Sequence, residues 1–322
     1  MKNIKLIITL LSIILVVESV KSSPIEKMEK NSVLNLSVKG TYLVNSSGDT
    51  ITLRGVSYGW HNFWPRFYNA SSAKYIIKNW KANLLRASMG VDIDRNSYIN
   101  KPEFGEKCVT AIADAAISSG AYVIIDWHCH NLKLKEAKEF FTKMATRYKS
   151  VPNVIYEIYN EPINDSWKDL KEYSIEIIKS IRAIEPNAVI LVGSPHWDQD
   201  IHIAADDPIV GFDNIMYTLH FYAKTHGQWL RDRADYAISK GIPIFVSECA
   251  GMEATGDGPI DNKEWNRWVE WMNKNRISWA AWSLSDKKET CSMLYPSASS
   301  EGNWNKEDLK EWANIVIDEL NK

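Results

Sequence analysis

A chain of 322 residues with 45% hydrophobic residues, 24% charged residues and a formal net charge of −2 has the balance of an ordinary globular protein with a large core. That charge excludes the basic footprint of a nucleic-acid binder, and no segment has the composition of a disordered tail. It leaves room for a neutral partner such as a polysaccharide, and the fourteen Trp and fourteen Tyr either fill an aromatic core or offer faces on which sugars stack.

Taken from the N-terminus, Lys2 and Lys5 precede an apolar run over 6–17, and small residues follow at Ser19, Ser22 and Ser23. Charged, apolar and small segments in that order mark a secretory signal peptide. The run is short for a membrane span. Residues 1–22 are therefore expected to be removed, giving a secreted, extracellular protein with no membrane contact after processing. Residues 23–32 read as a loose polar arm. Residues 33–322 read as one domain with no linker and no tethered binding module. Outside the cell, Cys108, Cys129, Cys249 and Cys291 suggest disulfides in any of three pairings. Sequons stand at Asn35, Asn45, Asn69 and Asn164.

The rest alternates. Residues 40–53, with Ser47-Gly48-Asp49 inside, predict a short N-terminal hairpin. Apolar, β-rich runs follow at 51–58, 83–89, 122–127, 154–159, 188–192, 215–221, 244–247 and 278–283. Helical stretches are expected at 106–119, 135–148, 167–184, 228–240, 262–273 and 306–320. Strands alternating with helices imply a parallel sheet, because parallel strands need crossovers. Near-continuous apolar runs imply strands buried on both faces. Eight units in this length predict an α/β protein, a single-domain (β/α)8 TIM barrel. An open doubly wound sheet would favour a GxGxxG turn, and the sequence has none.

The C-terminal ends of barrel strands form the active-site face. Here those ends carry Arg86, Asp126-Trp127-His128, Asn160-Glu161-Pro162, His220-Phe221-Tyr222, Ser247-Glu248 and Trp282-Ser283. An unpaired buried polar group costs about 1–3 kcal/mol, so such a ring implies use. Glu161 and Glu248 stand out as a carboxylate pair. Glycosidic cleavage needs one group to give a proton to the leaving oxygen and another to meet the developing positive charge. Arg86 and Tyr222 suit an ionised carboxylate, Asn160 a sugar hydroxyl, and His128 and His220 a positioning role. Trp282 suits an apolar platform.

These blocks resemble glycoside hydrolase family 5. Tyr159-Asn160-Glu161-Pro162 is similar to its NEP signature. Around it stand 53–57, Leu85-Arg86-Ala87-Ser88, Ile125-Asp126-Trp127-His128, Leu219-His220-Phe221-Tyr222, 245–248 and 281–287, in family order over residues 34–320. The subgroup most resembled is that of endo-β-1,4-glucanases from bacteria and plant-feeding invertebrates. The resemblance implies retaining double displacement, with Glu161 as acid/base and Glu248 as nucleophile. It implies support from Arg86, His128, Asn160, His220 and Tyr222, and sugar contacts at Trp282 and Lys287. Trp60 and Trp64 are further candidate platforms. The implied partner is a β-1,4-glucan polysaccharide or oligosaccharide, acted on by a monomer with no cofactor and no metal. Cys249 replaces a Trp common in relatives. Its place after the seventh strand suggests a bridge to Cys291, and Cys108 would pair with Cys129.

Other readings differ in substrate or class. Mannan, xylan and xyloglucan suit the same barrel. His128-Cys129-His130 resembles a metal-binding H-x-H pair, without a partner cluster. A non-catalytic sugar-binding protein would be expected to lack one carboxylate.

Overall fold

The computed structural model describes residues 34–322; the expected signal peptide, 1–22, and the arm, 23–32, lie outside the described residues. Strands β1 (Leu36–Lys39) and β2 (Tyr42–Asn45) form an antiparallel hairpin. Eight parallel strands then close a barrel: β3 (Arg54–Tyr58), β4 (Leu84–Gly90), β5 (Tyr122–His128), β6 (Val154–Glu157), β7 (Val189–Val192), β8 (Ile215–Tyr222), β9 (Ile244–Ala250) and β10 (Trp279–Leu284), with β10 paired to both β9 and β3. The crossovers carry α1 (Ala70–Tyr75), α2 (Pro102–Ser118), α3 (Leu134–Arg147), α4 (Trp167–Arg182), a kinked α5 (Pro195–Asp198), α6 (Ile201–Asp206), α7 (Gln228–Ser239) and α8 (Asn262–Asn275), and α9 (Glu311–Leu320) follows β10. The expected (β/α)8 barrel is thus the observed fold.

Local sequence explains these elements. In α4, Ser166 caps the helix by accepting from the Asp169 amide at 3.2 Å. Leu170, Tyr173, Ile177, Ile178 and Ile181 then recur at helical spacing and are buried. On β5, outward-facing Trp127 packs on Phe140 of α3 at 5.3 Å, while Asp126 beside it contacts Arg86 on the inside.

Inside the barrel the period of two lays down layers. Leu84, Ile124, Ile155, Met216, Phe245 and Ala280 form an apolar floor, closed beneath by Leu36 and Leu43 of the hairpin. Two residues further along the same strands stand Arg86, Asp126, Glu157, Thr218, Ser247 and Trp282, all buried. The floor fixes strand register, because a one-residue slip would drive these polar groups among the outer helices.

Two expectations need correction, the position of the hairpin turn and the disulfides. The hairpin turns at Gly40 and Thr41, earlier than expected; Ser47-Gly48-Asp49 forms a second turn, where the Gly48 amide donates to Asn45 O and Val44 bridges Thr50. The crossovers not given helical bounds from the sequence carry α1 with a π-helical turn after it at 70–80, and α5 with α6 at 195–206. The bridges Cys249–Cys291 and Cys108–Cys129 are absent, and all four thiols are free and buried. The reason is direction. Cys249 Sγ faces Ala280 O at 3.5 Å, and Cys291 Sγ faces Glu289 Oε1 at 3.2 Å. Cys108 belongs to α2 in the outer layer, whereas Cys129 lies past the end of β5, its amide donating to Trp127 O at 2.9 Å. Of the sequons, Asn69 is committed to structure: it caps α1 through Ser72 N and donates to Ser300 O.

Candidate active site

Arg86 organises the barrel's upper interior. It is fully buried, with Nε donating to Glu157 Oε2 at 2.7 Å, Nη1 to Glu248 Oε2 at 3.0 Å and Nη2 to Asn160 Oδ1 at 2.6 Å; Asp126 Oδ2 is 3.0 Å from Nη2. One guanidinium therefore faces three carboxylates. A fork of donors can do this; a lysine ammonium cannot. Burial opposes the charge, but Asp126, Glu157 and Glu248 hold Arg86 charged. Glu157 is held down to about 2 despite its burial, through Arg86 and His220.

Glu248 reaches the interior because β9 carries an extra residue. Thr218 pairs with Phe245, but His220 pairs with Glu248, so two residues on β8 oppose three on β9. The same slip appears against β10. A bulge of this kind re-aims a side chain. Tyr222 Oη donates to Glu248 Oε1 at 2.7 Å, opposite the Arg86 contact. Burial and the Glu161 charge push the Glu248 carboxyl up, against the pull of His220, Arg86 and Tyr222.

Glu161 lies past the end of β6, with its amide donating to Cys129 O at 3.2 Å. Its side chain is 15% exposed, whereas that of Glu248 is 4% exposed, so Glu161 is the carboxylate nearer the mouth. His220 Nδ1 donates to Glu161 Oε1 at 2.9 Å, and His130 Nε2 lies 3.5 Å from Oε2. The other His220 nitrogen, Nε2, faces Ser247 Oγ at 2.9 Å, Asp198 at 3.4 Å and Glu157 at 3.7 Å. Burial alone would depress His220, but Asp198, Glu157 and Glu161 prevail and hold the ring protonated. Burial in turn would raise Glu161, and the His220 hydrogen bond overcomes it. One proton is thus held between Glu161 and His220.

A carboxylate oxygen of Glu161, one of Glu248 and a ring nitrogen of His220 all lie within 4.8 Å of one another. This cluster could in principle hold a cation, but the imidazolium and its committed Nδ1 oppose one. The arrangement suits proton transfer beside a second carboxylate.

The remaining candidates surround this pair. His128 Nδ1 donates to Asp126 at 2.7 Å, and burial holds its ring neutral. Trp282 stacks on His128 at 5.2 Å and 8°, and Trp60 meets that imidazole edge-on at 4.4 Å. Asn160 Nδ2 is buried without a partner, its Oδ1 being fixed by Arg86. Two expected residues are not drawn into the cluster. Trp64 packs on Phe63, whose own exposure is 46%, and Lys287 pairs with Glu289. Sequence reasoning missed Glu157, Asp198 and His130 as neighbours of the pair. It also missed Trp197, which is 41% exposed and whose amide donates to Pro162 O, one residue past Glu161, at 2.8 Å.

The family described as Cellulase (glycosyl hydrolase family 5) matches residues 44–288. The chain belongs to glycoside hydrolase family 5. Within family 5 it is 42% identical over 281 residues to an endoglucanase of Clostridium saccharobutylicum, covering 85% of this chain and 62% of the relative. It is 40% identical over 292 residues to endoglucanase 5 of Pectobacterium carotovorum subsp. carotovorum, covering 88% and 57%. The chain thus spans about three-fifths of the length of these curated relatives. A solved structure from Cytophaga hutchinsonii superposes with a TM-score of 0.87 at 40% identity, covering 89% of this chain and 94% of that one. The catalytic domain of Thermobifida fusca endoglucanase Cel5A, in complex with cellotetraose, gives 0.85 at 31% identity, covering 90% and 98%.

Proposed function

We propose that the protein is a retaining endo-β-1,4-glucanase that hydrolyses internal bonds of cellulose-type glucans by double displacement. The observation that carries this is the carboxylate separation. Oxygens of Glu161 and Glu248 approach within 4.8 Å. Retaining pairs stand about 5–5.5 Å apart, whereas inversion needs about 6.5–9.5 Å to admit water between the sugar and its base.

Position and contacts, not the carboxyl shifts of the free site, divide the roles. Glu248, held by donors from Arg86 and Tyr222, is the nucleophile. Its carboxylate bonds to the anomeric carbon as the glycosidic C–O bond breaks, and the departing oxygen takes the bond's electron pair and a proton from Glu161. Because that proton is held jointly with His220, the acid is the Glu161–His220 couple. Glu161, now a carboxylate, then removes a proton from water. The resulting oxygen displaces Glu248 from the anomeric carbon with a second inversion, giving net retention. Asn160 Nδ2 is a donor for the hydroxyl beside the reacting carbon. Trp282, Trp60 and Lys287, with Trp64 behind Phe63, serve one side of the cleft, and Trp197 serves the leaving-group side.

The relatives' names and the cellotetraose bound by one structural neighbour support β-1,4-glucan as substrate. The leader at Lys2–Val17 supports secretion. The whole site comes from one barrel, which supports action as a monomer. Reducing-sugar release from carboxymethyl cellulose, mannan and xylan tests the reading. The highest rate is expected on the cellulose derivative and full activity after EDTA treatment; preference for mannan or xylan overturns the substrate assignment.

A further inference from the structure

Helix α7 follows β8, so its first turn lies on the same face of the barrel as the carboxylate pair. Trp229 stands in that turn with 42% of its surface exposed. A large indole held in water is unfavourable unless something covers it, and grouped exposed apolar side chains mark binding surfaces. Trp197 and Ile203, on the neighbouring α5 and α6, are also exposed, at 41% and 37%.

The ring is fixed in place. Arg233, one helical turn on, lies over it with Cζ 4.9 Å from the ring centroid. Arg233 is itself anchored, donating to the Asp200 carboxylate and to Gln199 O at 3.3 Å. His226 also meets the indole, edge-on, at 5.7 Å and 75°. His226 Nδ1 accepts from the Tyr222 amide at 2.7 Å, and Tyr222 holds Glu248. Arg233 covers one ring face, and Trp229 still keeps 42% of its surface exposed. Barrel order puts α5 and α6, between β7 and β8, across the mouth from Trp60 after β3, and α7, between β8 and β9, in the sector beside them. Arg233 ties this turn to Asp200, just past Trp197, and the Trp197 amide bonds Pro162 O, next in the chain to the proposed acid Glu161, which marks the leaving-group side.

We propose that Trp229, backed by Arg233, forms a distal subsite that stacks a β-1,4-linked glucose unit of the leaving-group chain, beyond Trp197. The subsite rests on the endoglucanase reading above. A flat apolar face receives the C–H face of the sugar, and the guanidinium edge offers donors to its equatorial hydroxyls. Substrates long enough to reach it gain affinity; short ones do not.

The test compares Trp229→Ala with the unaltered protein on cellohexaose and on an aryl β-cellobioside whose only leaving group is the phenol. Loss of one stacking contact should raise KM for cellohexaose about threefold to tenfold, with kcat little changed. The positions at which cellohexaose is cut should also shift. The aryl cellobioside should be hydrolysed at the original kcat/KM, and Trp229→Phe should restore most of the affinity for cellohexaose. Unchanged KM and cleavage pattern on cellohexaose, or equal losses on both substrates, would overturn the subsite. An unaltered protein inactive on cellohexaose would instead sink the endoglucanase reading, and the subsite with it.

Discussion

Ser247 and Glu248 are adjacent in the chain, and both side chains point into the barrel. Ser247 Oγ donates to Glu157 at 2.7 Å, and Glu248 accepts from Arg86 at 3.0 Å. A regular strand would send one of them outward among the helices. The extra residue in β9 turns both inward, so the backbone irregularity aims the proposed nucleophile. Glu248→Gln keeps the shape and the Tyr222 contact but cannot attack carbon. Turnover of carboxymethyl cellulose should fall at least about a thousandfold, with an unchanged circular dichroism spectrum. Residual activity above one-tenth would contradict the assignment.

Glu161 carries the opposite burden. In Glu161→Ala no proton meets the leaving oxygen, so loss should track leaving-group basicity. Hydrolysis of a dinitrophenyl β-cellobioside should keep a first step near the original rate, while cellohexaose should lose about a hundredfold or more. Equal losses on the two substrates would argue against the acid role.

The Glu161–His220 couple predicts a pH dependence. Burial pushes the Asp198 carboxyl up, while Asp198 and the two glutamates push His220 up, so loss of the shared proton is opposed by negative charge nearby. Arg86 supplies positive charge to Glu161. Asp198→Asn removes a carboxylate 3.4 Å from Nε2. The proton then leaves more easily, and the alkaline limb of kcat/KM should move to lower pH by about one pH unit. A limb that stays in place would show that Asp198 does not act on the couple.

Glu157 ties the fold to acid stability. Its carboxyl, held at about 2 in the barrel, returns to about 4.3 in the unfolded chain. A depressed carboxylate stabilises the fold above its unfolded value and loses that contribution as pH falls toward the folded one. Removing one partner of a buried ion pair costs about 3–5 kcal/mol. Glu157→Gln should therefore unfold at lower urea at pH 7, and its deficit should shrink between about pH 4.5 and 2. A deficit that does not vary with pH would contradict this.

The free thiols make a simple prediction. Ellman titration in denaturant without reductant should count Cys108, Cys129, Cys249 and Cys291 in full, and dithiothreitol should leave Tm unchanged. A reductant-dependent fall in Tm would restore the bridges.

The barrel was legible in the sequence because strands buried on both faces are apolar throughout, and their ends carried the polar groups. Glu157 left a readable trace, a carboxylate within the apolar run 154–159. Asp198 left none: it sits in a loop where His196, Trp197 and Asp198 all take left-handed backbone angles, which no composition signals. The inward turn of Glu248 was expected, but the bulge that produces it was hidden, since alternation counts residues and a bulge adds one. The cysteines misled because strand proximity says nothing about the direction of a thiol.

Trapping with a dinitrophenyl 2-deoxy-2-fluoro-β-cellobioside, followed by peptide mass mapping, tests the central claim most directly. The fluorine slows the second step, so a retaining enzyme accumulates its covalent intermediate. The account predicts one added fluorocellobiosyl group, on the peptide containing Glu248. No adduct, or an adduct on Glu161, would contradict it.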